Sequence, residues 1–228
     1  LSLRIDFLTR SSFMPQLTAQ GVSMPQYRRH LDLTKPLDNN LDIYTSADYV
    51  DPPFECHDWA GITQQGFRVA RLTLGTQTGT HIDAPAHFLD GGATLEALPV
   101  DRMMGRYMLL DLPAKASPGD LERPLRVYRD QTILFLRTPQ NGPAVLTGPA
   151  LERLIALPPT VWVLAGEIEV FESEPMEFHR MLARAGKYLV EDLDPKPARE
   201  VEPGGEIFVL PLRLTGTSGA PCRVVVRY

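Results

Sequence analysis

Apolar residues along this chain come in short runs, each broken within a few positions by proline, glycine or charge. Leu31-Asp32-Leu33-Thr34 alternates and stops before Pro36, which predicts a short strand. Strands are likewise expected over 67–74, running on into the segment around His81, and over 106–112, 131–137, 161–165, 188–190, 206–210 and 223–226. Between them, 149–156 carries apolar residues at helical spacing with Thr147 near its start. A second helix is expected over 175–185, where Phe178, Met181, Leu182 and Ala185 recur at i, i+3, i+4 and i+7. Residues 94–98 predict one helical turn. Residues 38–66 show little periodicity and read as a long functional loop. Strands dominate, so the pattern predicts an α/β fold: a single domain on a mixed, partly barrel-like sheet with a few helices.

Residues 1–28 mix Ser, Thr, Gln, Pro and Arg without a sustained period. They read as an N-terminal extension, either loosely ordered or an arm wrapping a neighbour, ahead of one domain over 29–228. A chain of 228 residues is long enough for one well-cored domain. With 21 prolines the elements should be short and the loops many.

The net charge of −5 and the lack of a Lys/Arg run give no footprint for nucleic acid or an anionic membrane. Only Cys56 and Cys222 are present, in no CxxC spacing, and both are expected as reduced thiols. No apolar run approaches the roughly 18–20 residues of a spanning helix, and no basic-then-apolar leader follows Leu1, which reads as a processed or truncated start. This balance suits a cytoplasmic enzyme acting on a small molecule.

The chemistry concentrates in Thr80-His81-Ile82-Asp83-Ala84-Pro85, with His87 just beyond, in a chain of five histidines. Imidazole nitrogen and carboxylate oxygen form a ligand set suited to Zn²⁺, Mn²⁺ or Fe²⁺. On a strand His81 and Asp83 project to one face, about 7 Å apart along the backbone. Gly75, Gly79 and Pro85 argue against a helix here. A single His-x-Asp pair is more often a hydrogen-bonded pair than a metal site; His87 and the flanking glycines shift that balance toward metal.

The stretch Gly79-Thr80-His81-Ile82-Asp83-Ala84-Pro85-Ala86-His87-Phe88 resembles the signature of the bacterial kynurenine formamidase and "putative cyclase" family, His-x-Gly-Thr-His-x-Asp-x-Pro-x-His. Gly186-Lys187-Tyr188-Leu189-Val190-Glu191-Asp192-Leu193 is similar to that family's strand ending in a metal-binding glutamate. His179 falls where the family has a further metal-binding histidine. Leu210-Pro211-Leu212-Arg213-Leu214 through Ser218-Gly219-Ala220-Pro221-Cys222-Arg223 resembles its closing element. The likeness spans roughly residues 30–228. It implies a swivelling β/β/α architecture and a divalent ion, Zn²⁺ or Mn²⁺, held by His81, Asp83, His179 and Glu191. His87 would be the general acid/base, and the assembly a homodimer or homotetramer.

One position departs from the family pattern. Where the motif opens with a histidine, this chain has Gln77. A ligating amide oxygen there would favour a single, oxygen-rich ion such as Mn²⁺; the other reading makes Gln77 an amide that orients a ligand or water. His179, at the edge of its apolar stripe, reads by itself as a packed histidine and by the resemblance as a ligand. His87 has the alternative of being a further ligand. Phe54, His57 and Trp59 could stack on a planar substrate, with core filling the commoner role of each.

A bound divalent ion lowers the pKa of water toward ~7 and polarises a carbonyl. Imidazole, with an ordinary pKa near ~6.5, can pass a proton to the leaving group. The expected function is therefore a metal-dependent hydrolase of an aryl formamide such as N-formylkynurenine, a cyclic amide or a lactone. Two alternatives remain: a cyclase or lyase using the same ion as Lewis acid, and a non-catalytic small-molecule-binding protein whose site is degraded at Gln77.

Overall fold

The computed structural model describes residues 29–228; the extension read over 1–28 lies outside them. The described chain opens with β1 (His30–Asp32), β2 (Glu55–Ala60), one helical turn α1 (Ile62–Gln65), β3 (Val69–Thr73) and β4 (His81–Asp83). From there a unit of long strand, short strand and helix is built three times. The first is β5 (Met104–Asp111), β6 (Lys115–Ala116) and α2 (Pro118–Leu125). The second is β7 (Ile133–Arg137), β8 (Ala144–Leu146) and α3 (Gly148–Ile155). The third is β9 (Val161–Ala165), β10 (Ile168–Val170) and α4 (Glu177–Arg184). β11 (Tyr188–Glu191), α5 (Pro195–Arg199), β12 (Glu206–Pro211) and β13 (Gly219–Arg227) follow.

The long strands β5, β7, β9 and β11 pair in parallel, in sequence order. Parallel neighbours need a crossover rather than a hairpin, and each short strand with its helix supplies one. The short strands form their own parallel sheet, in the order β10-β8-β6. β12 and β13 extend the main sheet antiparallel beyond β5. β4, antiparallel to both β11 and β13, closes the ring. The result is a seven-stranded mixed barrel, with β1 added on β13 beyond β4. This is the mixed, barrel-like α/β domain the pattern predicts. Among the described residues no helix is long and apolar enough to cross a membrane.

Burial follows strand parity. Ile133, Phe135, Val161, Val163, Val190, Ile207 and Val224 fill the barrel interior, as side chains must in so small a barrel. Leu134, Leu136, Trp162, Leu164 and Leu189 face outward onto Leu121 of α2, Leu151 and Leu154 of α3, and Phe178 and Leu182 of α4. Burial on both faces is why 133–136 and 161–165 are continuous apolar runs instead of alternating ones.

Two expectations fail. The stretch 38–66 is not all loop: β2 pairs with β3 as a bulged hairpin. Trp59 is 70%, Phe67 56% and Leu72 56% exposed, so Trp59 and the exposed His57 fill no core within this chain. With neither face of the hairpin packed, its sequence carries no inside-outside period. Residues 67–74 also do not run straight into the His-x-Asp motif, because a turn through Gly79, at φ 60°, separates them. Helix α2 goes unpredicted because Pro118 and Pro124 lie within it.

Phe135 has no exposed surface. Phe135→Ala is expected to cost about 3–5 kcal/mol, read as a lowered urea midpoint with an unchanged slope.

Candidate metal centre

β4 is clamped on both edges. Glu191 of β11 lies opposite His81 and Leu189 opposite Asp83; on the other side Pro221 of β13 faces His81 and Gly219 faces Asp83. Ile82 and Val190 turn into the interior, so His81, Asp83 and Glu191 point to the outer face, the side on which α4 packs. His81 Nε2 is 3.5 Å from Asp83 Oδ1 and 3.5 Å from Glu191 Oε1. One ligand atom from each of the three lies within 4.8 Å of the others.

Two glycines make this approach possible. Gly79 at φ 60° directs its carbonyl to accept a 2.7 Å hydrogen bond from His81 Nδ1. That bond places a proton on Nδ1 and turns Nε2 toward the two carboxylates, where a metal ion would take the place of its proton. A Cβ on Gly79 would also lie 2.6 Å from Leu37 Cδ2. At Gly219 a Cβ would meet the Ile82 carbonyl oxygen at 2.5 Å and Gln77 Nε2 at 2.6 Å. Only glycine lets β13 settle against β4 beside Asp83.

The remaining expected residues surround this trio. His179, on α4, donates from Nε2 to Glu191 Oε2 at 3.1 Å and reaches the cluster through that carboxylate. Gln77 donates from Nε2 to Asp83 Oδ1 at 3.3 Å, while its Oε1 accepts from Thr76 Oγ1 at 2.5 Å. It thus holds Asp83 with its nitrogen and turns its oxygen toward Thr76, the arrangement of an amide that orients a ligand. His87 ends the turn Pro85–His87 and is exposed. Its Nδ1 is 3.5 Å from Ser218 Oγ. Two neighbours escaped the sequence reading. Phe88 stacks on His179 at 4.9 Å and meets His87 edge-on at 4.5 Å, spacing the two imidazoles. Ser218 stands beside His87. Both lie within the motif segments, but nothing in a linear pattern says that the two segments touch.

Burial alone would push the His81 imidazole down, but hydrogen bonding to Glu191 and the charge of Asp83 outweigh it and raise its pKa to about 9. His179 is raised in the same way, burial being overcome by Glu191. Burial works against ionised Glu191 too, yet the two imidazoles hold it below the usual carboxylate range. Asp83 is raised by burial, which His81 only partly offsets. The metal-free cluster therefore balances buried carboxylates with protons on imidazoles. Asp83 Oδ2 is buried with no partner. One carboxylate oxygen from each of Asp83 and Glu191 and one imidazole nitrogen of His81, all within 4.8 Å, beside an unpaired buried oxygen of Asp83, are the donor set of a divalent cation. The residues fit such an ion.

The family described as "Putative cyclase" matches residues 31–154. The chain belongs to that family. It is 27% identical over 208 residues to the kynurenine formamidase of Bacillus cereus, covering 86% of this chain and 96% of that one. Isatin hydrolase A from Labrenzia aggregata superposes with a TM-score of 0.70 at 18% identity, over 87% of this chain and 93% of its own. A protein of Bacillus stearothermophilus described as a predicted metal-dependent hydrolase gives a TM-score of 0.63 at 25% identity, over 87% and 98%. The barrel is thus the cyclase-family fold, and the chain is an enzyme, a hydrolase of the cyclase family with a site suited to a divalent metal.

In the cyclase-family chain a raised folded-state pKa means that the His81 contribution to stability is complete below the unfolded value of ~6.5. It is lost as pH climbs through about 9. The metal-free protein should melt at lower temperature across that window, and His81→Gln should flatten the slope. A cation must displace these protons, so its affinity should rise over the same interval. Calorimetry in buffers of different ionisation enthalpy measures the protons released.

Proposed function

We propose that this protein is a metal-dependent amidohydrolase that cleaves an aryl formamide, a cyclic amide or a lactone. The observation that carries the reading is the convergence of His81, Asp83 and Glu191 on the outer face of the barrel, with His87 against Phe88, which in turn stacks on His179. The full-length likeness to a kynurenine formamidase supports the substrate class. His81, Asp83 and Glu191, with His179 at the Glu191 side, would hold Zn²⁺ or Mn²⁺, which would supply Lewis acidity toward the scissile carbonyl and toward water. Gln77 keeps Asp83 turned to the site. His87 is the general acid/base: exposed, and beside Ser218. It takes the proton from attacking water and returns it to the leaving nitrogen or oxygen. Phe88 keeps the His87 ring apart from His179, so that the proton carrier and the ion-holding side remain distinct.

Cytoplasmic action is supported by the acidic composition and by Cys56 and Cys222 both being free thiols. A homodimer or homotetramer is supported by the β2–β3 hairpin, whose Trp59, Phe67 and Leu72 are exposed although a two-stranded hairpin is marginal by itself. Sedimentation velocity should return a dimer or tetramer mass; a monomer would remove that part of the reading.

Purified protein should contain a stoichiometric divalent ion by elemental analysis and turn over members of a panel of formamides, isatin-like rings and lactones. His81→Ala and Asp83→Ala should lose both ion and activity. His87→Ala should keep the ion and slow kcat by on the order of a hundredfold or more. Metal loss in His87→Ala would make that residue a ligand, and turnover by His81→Ala would end the proposal.

A further inference from the structure

We infer that Lys35, Thr80 and Asp192 form a clasp at the end of the β4–β11 pair that positions Glu191 against His81. The inference rests on the reading above, in which these two side chains hold an ion. His81 and Glu191 stand opposite each other, and the clasp joins the residue before one to the residue after the other.

Thr80 has the parity of Ile82 and faces away from the metal side; it is 2% exposed. Its hydroxyl donates to the Asp192 carbonyl at 2.8 Å and accepts from the Lys35 backbone N–H at 2.9 Å. Both roles of the hydroxyl are used, and an isosteric valine would offer neither. Lys35 then closes the loop through an ion pair from Nζ to Asp192 Oδ1.

Asp192 needs such restraint because its φ is 57°, the left-handed region. A side chain is disfavoured there, less for Asp than for most residues, and the conformation is held by its surroundings. That turn ends β11 immediately after Glu191. If Asp192 relaxed to an extended conformation, the strand would run on and its last peptide, bearing Glu191, would rotate away from β4. Asp192 is thus no simply solvated charge: it is half-buried and paired with Lys35.

The restraint is anchored elsewhere in the barrel. The Leu33 N–H donates to the Val224 carbonyl at 2.9 Å, and its own carbonyl accepts from the Asp194 N–H at 2.8 Å. The Thr34 hydroxyl accepts from the Val224 N–H at 2.9 Å. The Thr80 carbonyl accepts from the Cys222 N–H at 2.9 Å. Residues 33–35 thus strap the middle of β13 to the ends of β4 and β11, and these are the strands that form and flank the metal side. Lys35, Thr80 and Asp192 are positioning residues, since none of them is among the groups facing the ion.

Calorimetric titration of the full-length, metal-stripped chain with MnCl₂ and with ZnCl₂ tests the clasp. Thr80→Val keeps the shape and removes the hydroxyl, and should weaken binding by about 10–100-fold, the usual cost of losing support behind a ligand. Thr80→Ser should restore affinity to within about threefold. T80V combined with Asp192→Gly should recover much of the loss, because glycine adopts the left-handed turn unaided. A merely structural role would lower the melting temperature without this pattern of rescue. Unchanged affinity in T80V overturns the inference. Should T80V fail to fold, Lys35→Met, which alters a partly exposed side chain, must show a smaller loss of the same sign or the inference falls. If the wild-type chain binds neither ion, the functional reading fails by itself. The clasp is then decided by the crystal structure of metal-free T80V: Glu191 should move away from its 3.5 Å approach to His81, and an unmoved carboxylate overturns it.

Discussion

The pairing of the three-residue strand β4 on both its edges is the constraint on which the rest depends. With β11 on one side and β13 on the other it closes the barrel. The same register sets Glu191 opposite His81 and Gly219 opposite Asp83. A shift of one residue would turn Ile82 to the outside and bury His81 and Asp83 among Val190 and Val224, so register is strongly specified. The hydrophobic parity that folds the barrel therefore also gathers the site.

Gathering these groups is electrostatically demanding. His81 and Asp83 are 6% and 5% exposed, and burying ionised groups costs several kcal/mol each unless they are paired. The protein offsets this with a closed network: Gly79 carbonyl to His81, Gln77 to Asp83, His179 to Glu191. What the network leaves open is Asp83 Oδ2, and the proton that His81 Nε2 turns to the two carboxylates is the one a cation would displace. Gln77 belongs to that offset. At a position where the family motif opens with a histidine, this chain places an amide whose nitrogen supports Asp83.

Three repeats of long strand, short strand and helix build half of the barrel, yet no sequence repeat accompanies them. Their similarity lies in burial, with interior and helix-facing residues both apolar, and many combinations of Leu, Val, Ile and Trp satisfy that requirement. The strands at 106–112, 131–137 and 161–165 were legible because two-sided burial produces runs. The short strands β6, β8 and β10 were not, being only two or three residues long. The hairpin β2–β3 was half-missed for the opposite reason: neither face is packed within the chain.

The sequence by itself determined the candidate chemistry on β4, since two side chains two residues apart on a strand share a face wherever that strand lies. It also determined the α/β class, through apolar runs spaced by helices and prolines. Only the tertiary structure decided that Glu191, more than a hundred residues later in the chain, meets them; that Gln77 turns its nitrogen inward; that Phe88 separates two histidines; and that Thr80 fastens the turn behind Glu191. Those relations depend on which strands become neighbours and in what register. Register is a property of the closed barrel as a whole, set by burial summed over all its strands, and no local stretch of the chain encodes it.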